Sequence, residues 1–237
     1  MNKSLDIVFL VDISSGMHPI LKALQQNIDT FIDAMESSYN YDGYVITGVK
    51  DWRIKVCGYT KCDGGVWWEE KPFTADAAQV HADFDSLESR SGGDEPESLL
   101  DALWKLSNMP DAPEPGDQAD CNTWRHKRDA GRSVVVFTKA RFHMVTSLPE
   151  AGGATFDDVA RAVMQNKLRL SVYCPEMDCY HRLSEIDGIE IEFVGTLADA
   201  EEKMREYSKP ENFDTTMKQL GKHMTMIFPR YWPYDQL

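Results

Sequence analysis

The chain has 237 residues, 42% of them hydrophobic, and a formal net charge of −14. That length supports one sizeable core, and a surface this acidic repels phosphate backbones, which argues against nucleic acid as a partner. No apolar run approaches the roughly 18 residues of a membrane span. "MNKSLDIVFLVD" is also too short and acidic for a secretory signal, so a cytoplasmic, bacterial protein with no membrane partner is expected.

Residues 5–11 form an apolar run that reads as a buried strand of a parallel sheet. Pro19 opens an amphipathic helix carrying Ile20, Leu24, Ile28, Phe31 and Met35 at helical spacing. "YNYDGY" breaks it. "WRIKVCGY" (52–59) is a second strand, with "YVITGV" as a possible extension before it. "CDGGVWWEEKPF" reads as a loop or hairpin. A helix is expected over 75–89, then a sharp loop, "SRSGGDEPES", and a helix over 96–107. Residues 108–131, polar and Pro-rich, read as a long surface insertion. Its basic cluster, Arg125-His-Lys-Arg128, is followed at once by Asp129 and reads as a solvated loop. "RSVVVFT" (132–138) is another buried strand. Helix 156–167, strand 168–173, helical "PEMDCYHRLSEI", strand "IEIEFVG" and two C-terminal helices complete the chain. This alternation indicates an α/β doubly wound fold, mostly parallel, in a single domain over 1–237.

Five cysteines make an odd count, which argues against a disulfide framework. Cys57/Cys62 and Cys174/Cys179 share one spacing, and four thiolates would suit zinc. Cys57 lies inside an apolar strand, so buried, reduced cysteine is the plainer reading.

In doubly wound sheets, ligands bind outside the carboxyl ends of the strands. Three loops therefore matter. The first carries Asp12, Ser14, Ser15 and Gly16. The second carries Asp94, Glu95, Glu97 and Ser98. The third carries Thr138, Lys139 and His143. Two carboxylates and hydroxyls at strand tips supply hard oxygen ligands of the kind Mg²⁺ or Mn²⁺ takes. Asp12 can also serve simply as an acceptor for backbone N–H groups at the start of the following helix.

On these residues the sequence resembles the von Willebrand factor type A (vWA) domain family over nearly its whole length. The family's first strand ends in Asp-x-Ser-x-Ser, the first part of its metal-ion-dependent adhesion site. Here "DISSGM" (12–17) matches at Asp12 and Ser14, while Gly16 stands where the second serine belongs. In the branch similar to integrin β subunits, the second part is the glutamate of a "GGDxPE" loop. Gly92-Gly-Asp-Glu-Pro-Glu97 supplies that as Glu97, with Asp94 beside it for a neighbouring cation. The third part is an aspartate after the fourth strand, and Lys139 occupies its place in "FTKARFH". The resemblance thus implies metal ligands Asp12, Ser14 and Glu97, with Mg²⁺ as the cofactor.

Two positions of five depart from the pattern, and one reverses the charge. At about 4 Å and an effective dielectric near 20, each unit pair is worth on the order of 4 kcal/mol, before the metal's double charge is counted. The leading expectation is that the Lys139 ammonium takes the metal's place against Asp12 and Glu97. A retained Mg²⁺ site is the alternative. A third reading, phosphoaspartyl hydrolysis by Asp12 with Lys139 neutralising phosphate, lacks the second Asp two residues after Asp12, where Ser14 stands. His18 and His143 read as surface histidines, and Trp67, Trp68, Trp124 and Trp232 as loop or tail aromatics. The expected function is a non-enzymatic protein-binding or scaffolding domain. The resemblance implies a protein partner, an ATPase, kinase or phosphatase encoded nearby. Loop surface is then expected to carry binding: Trp67–Trp68, 108–131, and the rim near His18 and His143.

Overall fold

The computed structural model describes residues 4–63, 65–90, 96–196 and 198–227. Its strands are β1 (Ser4–Asp12), β2 (Tyr39–Tyr41), β3 (Tyr44–Ile46), β4 (Asp51–Tyr59), β5 (Trp68–Glu70), β6 (Gly131–Phe137), β7 (Leu168–Glu176) and β8 (Ile189–Thr196). Its helices are α1 (His18–Glu36), α2 (Ala77–Asp85), α3 (Leu99–Ser107), α4 (Phe156–Gln165), α5 (Asp178–Leu183), α6 (Ala200–Tyr207) and α7 (Pro210–Ile227).

The main sheet runs β5-β4-β1-β6-β7-β8. Every pair is parallel except β4 with β5. β1 lies between β4 and β6 because its side chains bury on both faces. Ile7, Phe9 and Val11 join the core under α1, α2 and α7, while Val8 and Leu10 join the core under α3, α4 and α5. A strand with two apolar faces needs a helical layer on each side. Strand order reverses at β1, so its carboxyl end is the ligand position of such a sheet.

"YNYDGY" is a separate hairpin. β2 and β3 pair around Asp42 (φ 48°) and Gly43 (φ 80°), the left-handed pair a two-residue hairpin turn requires. The aromatic stretch after β4 folds back as β5 and forms the expected hairpin. Helix α3 starts at Leu99 rather than at Pro96. The reason is local: the Glu97 N–H donates to the Arg141 carbonyl (2.8 Å), a bridge to the loop after β6 that a helical backbone would forfeit.

Segment 108–130 contains no helix or strand, yet it is firmly anchored. Trp124 is buried, and its indole N–H donates to the Leu106 carbonyl at 3.0 Å. The solvated-loop reading of the basic cluster is corrected at Arg125. Its guanidinium reaches the buried Asp6 at 2.8 Å and Asp51 at 2.6 Å. The carboxylate at the third position of β1 is what draws it in, and spacing along the chain does not reveal that long-range pairing. Arg132 holds Asp111 at 2.7 Å and so ties the other end of the segment to β6.

Among the described residues, no helix is long and apolar enough to cross a membrane.

Candidate functional site

Three loops converge at the carboxyl end of β1. The Arg90 N–H donates to the Ile13 carbonyl (2.7 Å), which joins the second loop to the first. The Glu97–Arg141 bond joins the second to the third. Backbone hydrogen bonds thereby fix Asp12, Ser14, Glu97 and Thr138 around one point, all four buried.

Asp12 is the centre of this cluster. It is fully buried, opposite Tyr59 in the β1–β4 register. The Ser14 N–H donates to its Oδ1 (2.8 Å) and the Thr138 hydroxyl to its Oδ2 (3.2 Å). The Lys139 backbone N–H lies near enough to favour the charged form as well. Burial nonetheless pushes the Asp12 carboxyl above its ordinary range, and these bonds offset the shift only in part. Among the described residues the Ser14 Oγ, which lies near Asp12, has no partner of hydrogen-bonding geometry.

Lys139 does not pair directly with the carboxylates. Among the described residues its ammonium makes no ion pair within 4.0 Å, and its side chain lies instead along Gly16. A Cβ built on Gly16 would stand 2.2 Å from the Lys139 Nζ and 2.4 Å from its Cε. The lysine therefore fills the space into which a side chain at position 16 would project. Glycine at 16 and lysine at 139 are one packing solution.

Two tyrosines complete the cluster, and sequence reading missed both. The Tyr180 hydroxyl, from α5, donates to the Ala140 carbonyl and stands 3.3 Å from the Thr138 Oγ1. Tyr59 is buried beside Asp12 and Glu97, whose charges add to burial in pushing its phenol up. Tyr59 had a signal, since it ends the strand that must pair with β1. Tyr180 had none.

The other expected site residues are scattered. Asp94 and Glu95 lie outside the described residues, as does Trp232. His18 and His143 are exposed at the rim, as the surface reading expects. Trp67 and Trp68 pack on the core with ring centres 5.7 Å apart. Cys57 and Cys174 stand on β4 and β7, with β1 and β6 between them, and burial pushes both thiols up. Among the described residues, no group of three His, Cys, Asp or Glu side chains is placed to hold a metal ion.

These residues fit a divalent cation poorly. Buried Asp12, Ser14 and Glu97 are suitable donors, but a lysine stem occupies the adjoining space at Gly16 and brings a positive charge with it.

No protein-family profile matches the sequence, and no curated protein matches it. A solved structure does: proximal thread matrix protein 1 from the mussel byssus, determined with a zinc-occupied MIDAS motif. It matches with a TM-score of 0.53 and 11% identity, over 89% of this chain. The fold is vWA-like. This chain spans 48% of the length of the mussel chain, and at that identity the likeness speaks for fold alone.

Proposed function

We propose that this is a non-enzymatic, protein-binding vWA-like domain whose metal position is taken by the Lys139 side chain. The observation that carries the reading is the position of the Lys139 Nζ, 2.2 Å from where a Cβ on residue 16 would stand. The mussel protein was determined with zinc in this motif. On this reading a covalently attached cation takes that role, and recognition rests on the rim and not on a metal shell.

The rim offers suitable surface. Val66 in the β4–β5 hairpin is exposed, as are Met144 and Val145 after β6. Arg141 and His143 flank the second pair. Exposed apolar groups rimmed by polar ones mark interaction sites. Trp124 and Arg125 of segment 108–130 are committed to the core and to Asp6, which removes them from the surface available to a partner. An enzymatic reading through Asp12 is disfavoured by its setting. A nucleophilic carboxylate must be reached by substrate, whereas both Asp12 oxygens accept internal hydrogen bonds and the group is fully buried.

Co-purification from the native host tests the proposal. A partner is expected to stay bound in EDTA and to be lost from a Val66→Ser/Met144→Ser/Val145→Ser variant that still folds. A partner released by EDTA, or retained by that variant, would overturn it.

A further inference from the structure

Beyond β7, on the α1/α7 side of the sheet, α6 packs over the end of β8 at Val194, while the start of the strand is exposed. β8 turns Val194 toward that core, and the two-residue period of a strand turns Glu190 and Glu192 the same way. Neighbouring strands place Ile54, Val56, Val135 and Phe137 on that face. Both carboxylates are exposed on this edge strand, where a ligand from solvent can reach them.

They line a cavity of about 500 Å³, the size of a small-molecule site, together with Tyr173 of β7 and with Tyr39 and Tyr41 of the β2–β3 hairpin. Lys222 and His223 of α7 form its remaining charged wall. The chain itself shows what these walls accept. The Lys222 ammonium stands 5.5 Å from the centre of the Tyr39 ring, and the His223 Nε2 lies 3.0 Å from the Glu190 carboxylate. Among the described residues Glu192 makes no ion pair within 4.0 Å. Burial raises its carboxyl, and the nearby Tyr207 hydroxyl opposes the shift. A cation entering here gains tyrosine faces and a carboxylate not already paired with a base. The net charge of −14 adds a field that draws cations in.

We propose that this cavity binds a free linear alkylamine of the diamine or polyamine class, its ammonium held by Glu192 and Glu190 against the tyrosine faces. The inference is independent of the Lys139 site at the carboxyl end of β1.

Calorimetry on the full chain at physiological salt, with cadaverine and spermidine as probes, tests it. Saturable binding of at least one amine is expected. Glu192→Gln, which keeps the shape and removes the charge, should weaken it about tenfold. Tyr41→Ala, on the exposed hairpin, should weaken it several-fold. Lys222→Met should tighten it, because the internal competitor for Tyr39 is gone. That opposite sign separates the effect from general destabilisation, and the thermal midpoint of each variant checks folding. No binding of either amine, or equal affinity in Glu192→Gln, overturns the proposal. So does stronger binding of a blocked Gly-Lys-Gly peptide than of both amines, or a salt dependence identical in every variant, which would indicate diffuse counterion binding.

Discussion

Asp6 is the residue on which the long segment 108–130 depends. It is fully buried and accepts four hydrogen bonds: from Arg53 Nε (3.0 Å) and Nη2 (2.7 Å), and from the Arg125 N–H (2.8 Å) and Nε (2.8 Å). Asp6→Asn keeps the volume but removes the charge and turns one acceptor into a donor facing two guanidiniums. Breaking a buried pair by removing one partner costs about 3–5 kcal/mol. Here the guanidiniums are 15% and 16% exposed and keep other acceptors, the carbonyls of Asp120 and Thr123 for Arg53 and Asp51 for Arg125. The expected loss is therefore nearer 2–3 kcal/mol, a large share of the roughly 5–15 kcal/mol that holds a domain together. Urea unfolding followed by tryptophan fluorescence measures it. Limited trypsin digestion supplies the local readout, because Lys127 and Arg128 are exposed next to the anchor. Cleavage there should accelerate in the variant before global unfolding does. A loss under about 0.5 kcal/mol, the level of an ordinary surface substitution, together with an unchanged tryptic rate, would refute the anchoring argument.

Other predictions follow from the cluster at the end of β1. Burial raises the folded-state pKa of Asp12 above the ordinary carboxylate value, so the folded protein holds that proton to higher pH than the unfolded chain does. Its contribution to stability therefore falls as pH rises from that value through the raised one, and the difference in stability between wild type and Asp12→Asn should shift in favour of the variant over that window; a difference flat with pH would contradict the assignment. Gly16→Ser drives a side chain into the Lys139 tip, which is the mobile end of a flexible residue, so the lysine should swing out at a cost below about 1 kcal/mol, and the cost should vanish in a Lys139→Ala background. A cost that persists in that background would mean the two positions do not share the space. Tyr180→Phe removes the hydroxyl that satisfies the Ala140 carbonyl and should cost about 1–2 kcal/mol in denaturant titrations.

Much of this architecture was legible in the sequence because it follows from local patterning. Largely apolar runs mark β1 and β6, and helical spacing marks α1. The position of Asp12 at the tip of β1 was readable from the same run. Features set by long-range pairing were not legible. Arg125 reads as a solvated charge until β1 brings Asp6 beneath it. Lys55 lies in the interior of β4, held by the Lys71 carbonyl and Glu70, in a place where strand periodicity alone expects an apolar residue. The late start of α3 depends on a backbone bond to Arg141, more than forty positions away in the chain. At the site, the exchange of serine for glycine at 16 and the lysine at 139 were each visible as departures from a pattern. Their shared cause, one side chain filling the space of the other, required the fold. The expected contact of the Lys139 ammonium with Asp12 and Glu97 takes a different form: the lysine reaches the edge of the cluster along Gly16 without an ion pair to either carboxylate.

The occupancy of that space is tested most directly by titrating Mn²⁺ into two proteins by calorimetry, the wild type and a Gly16→Ser/Lys139→Asp variant that restores the hydroxyl and the carboxylate. With Lys139 in the metal's place, the wild type gives no saturable heat, and the variant binds the ion and loses it again on a further Asp12→Ala change. Saturable Mn²⁺ binding by the wild type that disappears on Asp12→Ala would contradict the account.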